Sequence, residues 1–102
     1  MKSSKHEYYS LNKSERALQI LCYYKTKAIV VPYINLRHTG WDGEKIRMEF
    51  SSAVILMSPP VGFDVRDFLE GIREHWLFEI KDDGGLEIDV YVVEMSLEIS
   101  DE

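Results

Sequence analysis

Residues 64–76 place Val65, Phe68, Leu69, Ile72 and Trp76 at the i, i+3, i+4, i+7, i+11 positions of one helical face. Asp64 stands where an N-cap accepts a free backbone amide, and Phe63 with Phe68 has the spacing of a hydrophobic staple. An amphipathic helix must bury its apolar stripe against another layer, so the rest of the chain has to supply that layer. Its composition points to a sheet. Residues 27–37, KAIVVPYINLR, are rich in β-branched side chains and apolar on both alternating faces. Pro32 has no amide to donate, which places this strand at a sheet edge or gives it a bulge. The two glycines of Thr39-Gly40-Trp41-Asp42-Gly43 mark a turn, and a second strand follows over 45–57, forming a hairpin with the first. Ser58-Pro59-Pro60-Val61-Gly62 then stops the strand.

Towards the C-terminus, Leu86, Ile88, Val90 and Val92 alternate with Glu87, Asp89 and Tyr91, after which Val93, Met95, Leu97 and Ile99 continue one residue out of phase. A β-bulge at Val92-Val93 reconciles the two phases and brings Glu87, Asp89, Tyr91, Glu94, Ser96 and Glu98 onto one face. Phe78–Lys81 fits either the helix end or a short strand, ahead of a turn at Asp82-Asp83-Gly84-Gly85. At the N-terminus residues 1–10 read as a loose arm. Asn12 with Glu15 resembles a capping box, and Ala17, Leu18, Leu21, Cys22 and Tyr24 recur at helical spacing, predicting a first helix over 13–24. The expected fold is α+β: a mostly antiparallel three- or four-stranded sheet with two helices packed on one face, in the order α-β-β-α-(β)-β. Residues 1–102 form one domain on this reading, since two separate cores would each be too small to hold.

Several classes of function are excluded by what the chain lacks. Its longest apolar run, Ala28 to Ile34, is seven residues interrupted by Pro32, against about 20 for a membrane-spanning helix. The charged N-terminus has no secretory h-region, so a cytoplasmic protein without membrane attachment is expected. Cys22 is the single cysteine, which rules out an intrachain disulfide and a thiolate-rich zinc site, and it reads as a small core residue. None of His6, His38 and His75 has a partner at metal-ligand spacing. Asp82 to Glu87 lacks the alternating oxygen ligands of a calcium loop, and Gly40 and Gly43 lack the lysine that completes a phosphate loop. No cofactor, metal or catalytic residue is therefore assigned. His38 with Asp42, or His75, beside the glycine-bearing loop is the enzymatic alternative.

Lys25, Lys27, Arg37, Lys45 and Arg47 interleave with Tyr23, Tyr24, Tyr33 and Trp41 in the basic-aromatic mixture that suits single-stranded nucleic acid. The net charge of −6 opposes it, because phosphate binding gains from counterion release only at a cationic surface. Charge is also uneven: residues 1–51 hold nine Lys+Arg and five Asp+Glu, residues 52–102 three and thirteen. From Glu79 to Glu102 nine acids face one base, Lys81. Like charges crowded on one strand face repel each other, and a basic partner relieves that repulsion. The leading expectation is a non-enzymatic acidic binding protein that docks on a basic protein partner through Glu87, Asp89, Tyr91, Glu94 and Glu98. Its sharpest form is an immunity or antitoxin inhibitor of a nuclease-like toxin. A homo-oligomeric regulatory or structural subunit is the third reading.

Overall fold

The computed structural model of the chain describes residues 3–5, 8–82 and 85–92. Among these residues nine strands, β1 to β9 in chain order, build two sheets, and one helix, α1 (Val65–Arg73), packs beside them. The first sheet has the order β1 (Ser3–Lys5), β2 (Tyr9–Asn12), β8 (Leu77–Lys81), β3 (Gln19–Tyr24), β4 (Lys27–Pro32). The second has the order β5 (Leu36–Trp41), β6 (Ile46–Phe50), β7 (Ala53–Ser58), β9 (Glu87–Val92). Strand β8 runs parallel to β3, with Leu21, Cys22 and Tyr23 opposite Glu79, Ile80 and Lys81, and the other described pairings are antiparallel.

Period-two burial explains the second sheet directly. Ile46, Met48 and Phe50 of β6, with Ala53, Ile55 and Met57 of β7, all point inward, while Arg47 and Glu49 point out. These side chains join Ile20, Cys22, Val31, Leu77 and Ile80 of the first sheet and Phe68 and Ile72 of α1 in one buried cluster. The chain changes sheets at Pro32, which ends edge strand β4 where a missing amide costs no ladder bond. A single 3-10 turn at Tyr33–Asn35 follows, and the Tyr33 hydroxyl donates to the Leu77 carbonyl at 2.6 Å, tying the crossover to β8.

Both ends of α1 are closed by the sequence next to them. The Asp64 carboxylate accepts the Asp67 amide at 3.0 Å, and the Phe63 and Phe68 rings meet at 5.6 Å, as the staple spacing predicts. At the other end His75 takes a left-handed conformation, φ 62°. The Trp76 amide donates to Gly71 C=O at 2.8 Å and the His75 amide to Ile72 C=O at 3.1 Å, the bond pair of a Schellman cap. Gly71 lets the helix approach the first sheet closely, since a Cβ there would lie 2.5 Å from Leu11 Cδ2.

The class is α+β and the sheets are mostly antiparallel, but the expected architecture needs correction. Among the described residues there is one helix, not two, and two sheets replace the single three- or four-stranded sheet, so the order α-β-β-α-(β)-β does not hold. The helix expected over 13–24 is a turn followed by β3, because the Asn12 side chain accepts the Ser14 amide at 3.0 Å in a local turn instead of capping a helix. Ile20 and Cys22 then alternate inward between β8 and β4. The loose arm is also revised: Tyr9 and Ser10 are buried in β2, and Ser3–Lys5 pair with it. Tyr9 is held there by edge-on contact with Phe68 at 5.1 Å and by its hydroxyl donating to Asp67 at 2.9 Å. The strand over 45–57 is two strands joined at Ser51-Ser52, and the turn expected at Thr39–Gly43 shrinks to Asp42–Lys45 as β5 extends through Trp41. Of the predicted helix face, Phe68 and Ile72 are buried while Val65, Leu69 and Trp76 are half-buried. No helix among the described residues is long and apolar enough to cross a membrane.

Candidate functional site

Among the described residues strand β9 lies at the edge of the second sheet and pairs with β7 alone. Ile88 and the neighbouring Leu86 are buried in the core, so alternation turns Glu87, Asp89 and Tyr91 outward, opposite Ser58, Leu56 and Val54. Tyr91 is 56 % exposed. Asp82, just after β8, comes beside this face, and Asp82, Glu87, Ile88, Asp89 and Lys25 line a cleft of about 210 Å³. Lys25 enters it from the tight turn between β3 and β4, where its backbone is left-handed, φ 54°. Its amide donates to the Asp82 carboxylate at 3.3 Å and its ammonium to Asp89 at 3.2 Å. Both side chains of the Lys25–Asp89 pair are half or more exposed, so it contributes at most about 1 kcal/mol and exchanges readily.

Of the two bases near β6, Arg47 stands apart from this edge, while Lys45 comes up to Ser58, the β7 residue opposite Glu87. Arg47 lies opposite Leu56, which in turn lies opposite Asp89, two strands away. Its guanidinium donates to Glu49 at 2.6 Å, and that bond holds the Glu49 carboxyl below its ordinary range. Lys45 reaches the Ser58 hydroxyl at 3.3 Å. The outer face of the second sheet is thus acidic along β9, apolar along β7 and mixed along β6. Glu94, Glu98 and the bulge at Val92-Val93 lie outside the described residues.

His38 and Asp42 do not form an acid-base pair. The Asp42 carboxylate accepts the amides of Lys45 at 2.7 Å and Glu44 at 2.8 Å, bonds that lower its pKa and commit it to closing the β5–β6 turn. His38 lies opposite Glu49 on the outer face. His75 caps α1 and stacks on Tyr33, ring centroids 4.1 Å apart. Cys22 is fully buried, and burial, reinforced by the Asp82 charge, pushes its thiol up to about 12. No group of three or more His, Cys, Asp or Glu side chains among the described residues is placed to hold a metal ion.

Neither a protein-family model, nor a curated protein, nor a solved structure matches this chain.

A second feature was not legible in the sequence. Between β5 and α1 the rim of the core opens into a groove of about 690 Å³ lined by Trp41, Val65, Arg66, Leu69, Glu70 and Arg73. A neighbouring recess of about 410 Å³ shares Leu69 and Arg73 with it and extends past Thr39 to Leu36 and Arg37. Reading Thr39–Gly43 as a loop hid it. The alternation of Leu36, Thr39 and Trp41 around a bulge at Arg37 is the signal that would have shown a strand with an inward-facing tryptophan.

Proposed function

We propose that this chain is a non-enzymatic binding protein whose acidic β9 edge docks on a basic protein partner. The observation that carries the reading is the cleft lined by Asp82, Glu87 and Asp89, in which the Lys25 ammonium pairs with Asp89 alone, with Tyr91 exposed on the same strand. Lys25 occupies the place a partner's lysine or arginine would take, through a bond weak enough to exchange. Tyrosine offers contact area and a hydroxyl at low entropic cost, so Tyr91 is the anchor and the carboxylates steer encounter. An immunity or antitoxin role is the sharpest form, in which this edge covers the cationic groove where a nuclease-like toxin holds its substrate. The roles already held by Asp42 and His75 weigh against the enzymatic alternative.

The test is affinity for a basic protein that co-purifies with the chain, measured with wild type and with Glu87→Lys combined with Asp89→Lys. Binding should weaken at least tenfold with an unchanged melting transition, and association should slow as salt rises. Equal affinity removes the β9 edge as the interface. A second reading, self-association through the first sheet, is favoured by the outer side of β3 and β4, where Leu21 lies opposite Val30, itself 48 % exposed, beside Tyr23. A dimer mass for the isolated chain, lost in Val30→Lys, would support it.

A further inference from the structure

The groove beside α1 lies on β5, at the opposite edge of the second sheet from β9. Strand β5 pairs with β6 on one side; on the other its first residue, Leu36, donates its amide to the Tyr33 carbonyl, and among the described residues no backbone bond is made there at Thr39 or Trp41. The Asp42 amide donates to the Lys45 carbonyl at 3.2 Å, which makes Asp42 and Lys45 a hydrogen-bonded pair. Antiparallel alternation then makes Trp41–Ile46 and Thr39–Met48 non-hydrogen-bonded pairs, with the N–H and C=O of Thr39 and Trp41 turned to the free side. The Thr39 hydroxyl oxygen is shielded from water and finds no hydrogen-bond partner among the described residues. A sheet edge with open ladder groups beside an apolar floor of Val65, Leu69 and a Trp41 that is 40 % exposed is built to take another strand.

Charge selects which strand. Arg66 and Arg73 line the groove and Arg37 the adjoining recess. Arg73 shares Glu74 at 3.2 Å and Glu70 at 3.7 Å, whereas no carboxylate among the described residues pairs with Arg37 or Arg66. We propose that the β5–α1 groove binds an extended acidic peptide of a partner protein as an added strand on β5. Alternate side chains of that peptide cover Val65 and Leu69, and its carboxylates meet Arg66 and Arg37. The site stands independently of the β9 edge, since it uses other residues and the opposite charge.

The probe is a capped heptapeptide of alternating glutamate and valine, titrated into the isotope-labelled full chain and followed by amide and indole NMR. Shifts should concentrate at Thr39, Trp41 and the start of α1, with slowed exchange of the Thr39 and Trp41 amides. Replacing glutamate by lysine in the peptide, or N-methylating alternate residues so that it cannot form a ladder, should each weaken binding tenfold or more. Arg37→Glu with Arg66→Glu should do the same to the acidic peptide; the wild-type comparison decides the matter if that variant does not fold. Unshifted Thr39 and Trp41 amides at millimolar acidic peptide, or equal binding of the lysine peptide, overturn the proposal. The same shifts appearing when the protein alone is concentrated would overturn it in favour of a second copy of the chain.

Discussion

At position 22 a single thiol sits at the centre of β3 with its side chain fully buried, so its chemistry is set by packing. Its pKa is raised from 9.0 to about 12, first by burial and then by Asp82. Because the folded value lies above the unfolded one, the stabilisation from keeping the thiol neutral is whole below pH 9 and is lost as pH rises towards 12. Tyr9 and Tyr33, whose phenols burial also raises above 10.0, add to the loss at higher pH. The urea midpoint should therefore fall between pH 9 and 11, and Cys22→Ala should flatten the first part of that fall. At pH 7 Cys22 should react with an aromatic disulfide reagent only on the timescale of unfolding. Rapid labelling of the native protein would show that the thiol is not held in the core. This much was legible, since a lone cysteine among apolar neighbours reads as core in either a helix or a strand. The role of His75 was not, because it depends on the Tyr33 ring brought in by folding, whereas Asp42 closes a turn with the amides of Glu44 and Lys45, a local bond that its place before Gly43 does suggest.

At the scale of the element, α1 was readable because every signal for it is local: cap, staple and apolar stripe fall within residues 63–76. Phe68→Ala should cost about 3–5 kcal/mol, since its ring is fully buried against Tyr9 and Phe63. Gly71→Ala offers the sharper test. Helix propensity alone favours alanine by about 1 kcal/mol, whereas the new Cβ would lie 2.5 Å from Leu11, which is 1 % exposed and cannot swing away. The net effect should be a loss of about 1–3 kcal/mol, the usual penalty of overpacking. A stabilised Gly71→Ala, measured by denaturant midpoint, would mean that α1 does not rest on β2. Strand β3 was misread for the converse reason. Leu18, on the face where a helix would bury it, is 85 % exposed, and the state of residues 19–24 is fixed by β8, more than fifty residues later. No local pattern carries that. The acidic edge was legible as far as Tyr91 because alternation is local, while the groove depends on α1 lying beside β5.

For the whole molecule the decisive feature is the position of β8. Residues 77–81 lie between β2 and β3, so the first sheet has no centre until more than three-quarters of the chain has been placed. Both neighbours of β8 are distant in sequence, and one of them is parallel, which adds the cost of closing long loops before any pairing rewards it. The β3–β4, β5–β6 and β6–β7 hairpins can form early from local contacts, but they cannot bury Ile20, Leu77 and Ile80 together. Refolding should accordingly take about milliseconds to seconds, the range of folds dominated by non-local strand pairing. Ile80→Ala should lower stability by about 2–5 kcal/mol, because Ile80 is fully buried opposite both Tyr9 and Cys22. Most of that loss should appear in the unfolding rate if β8 docks after the folding barrier, and in the refolding rate if its docking is the barrier. Loop-closure cost puts it at the barrier, so stopped-flow refolding of Ile80→Ala should be slowed, while Val54→Ala on the β6–β7 hairpin should leave refolding nearly unchanged. Microsecond refolding, or an Ile80→Ala effect confined to unfolding, would show that the first sheet assembles some other way.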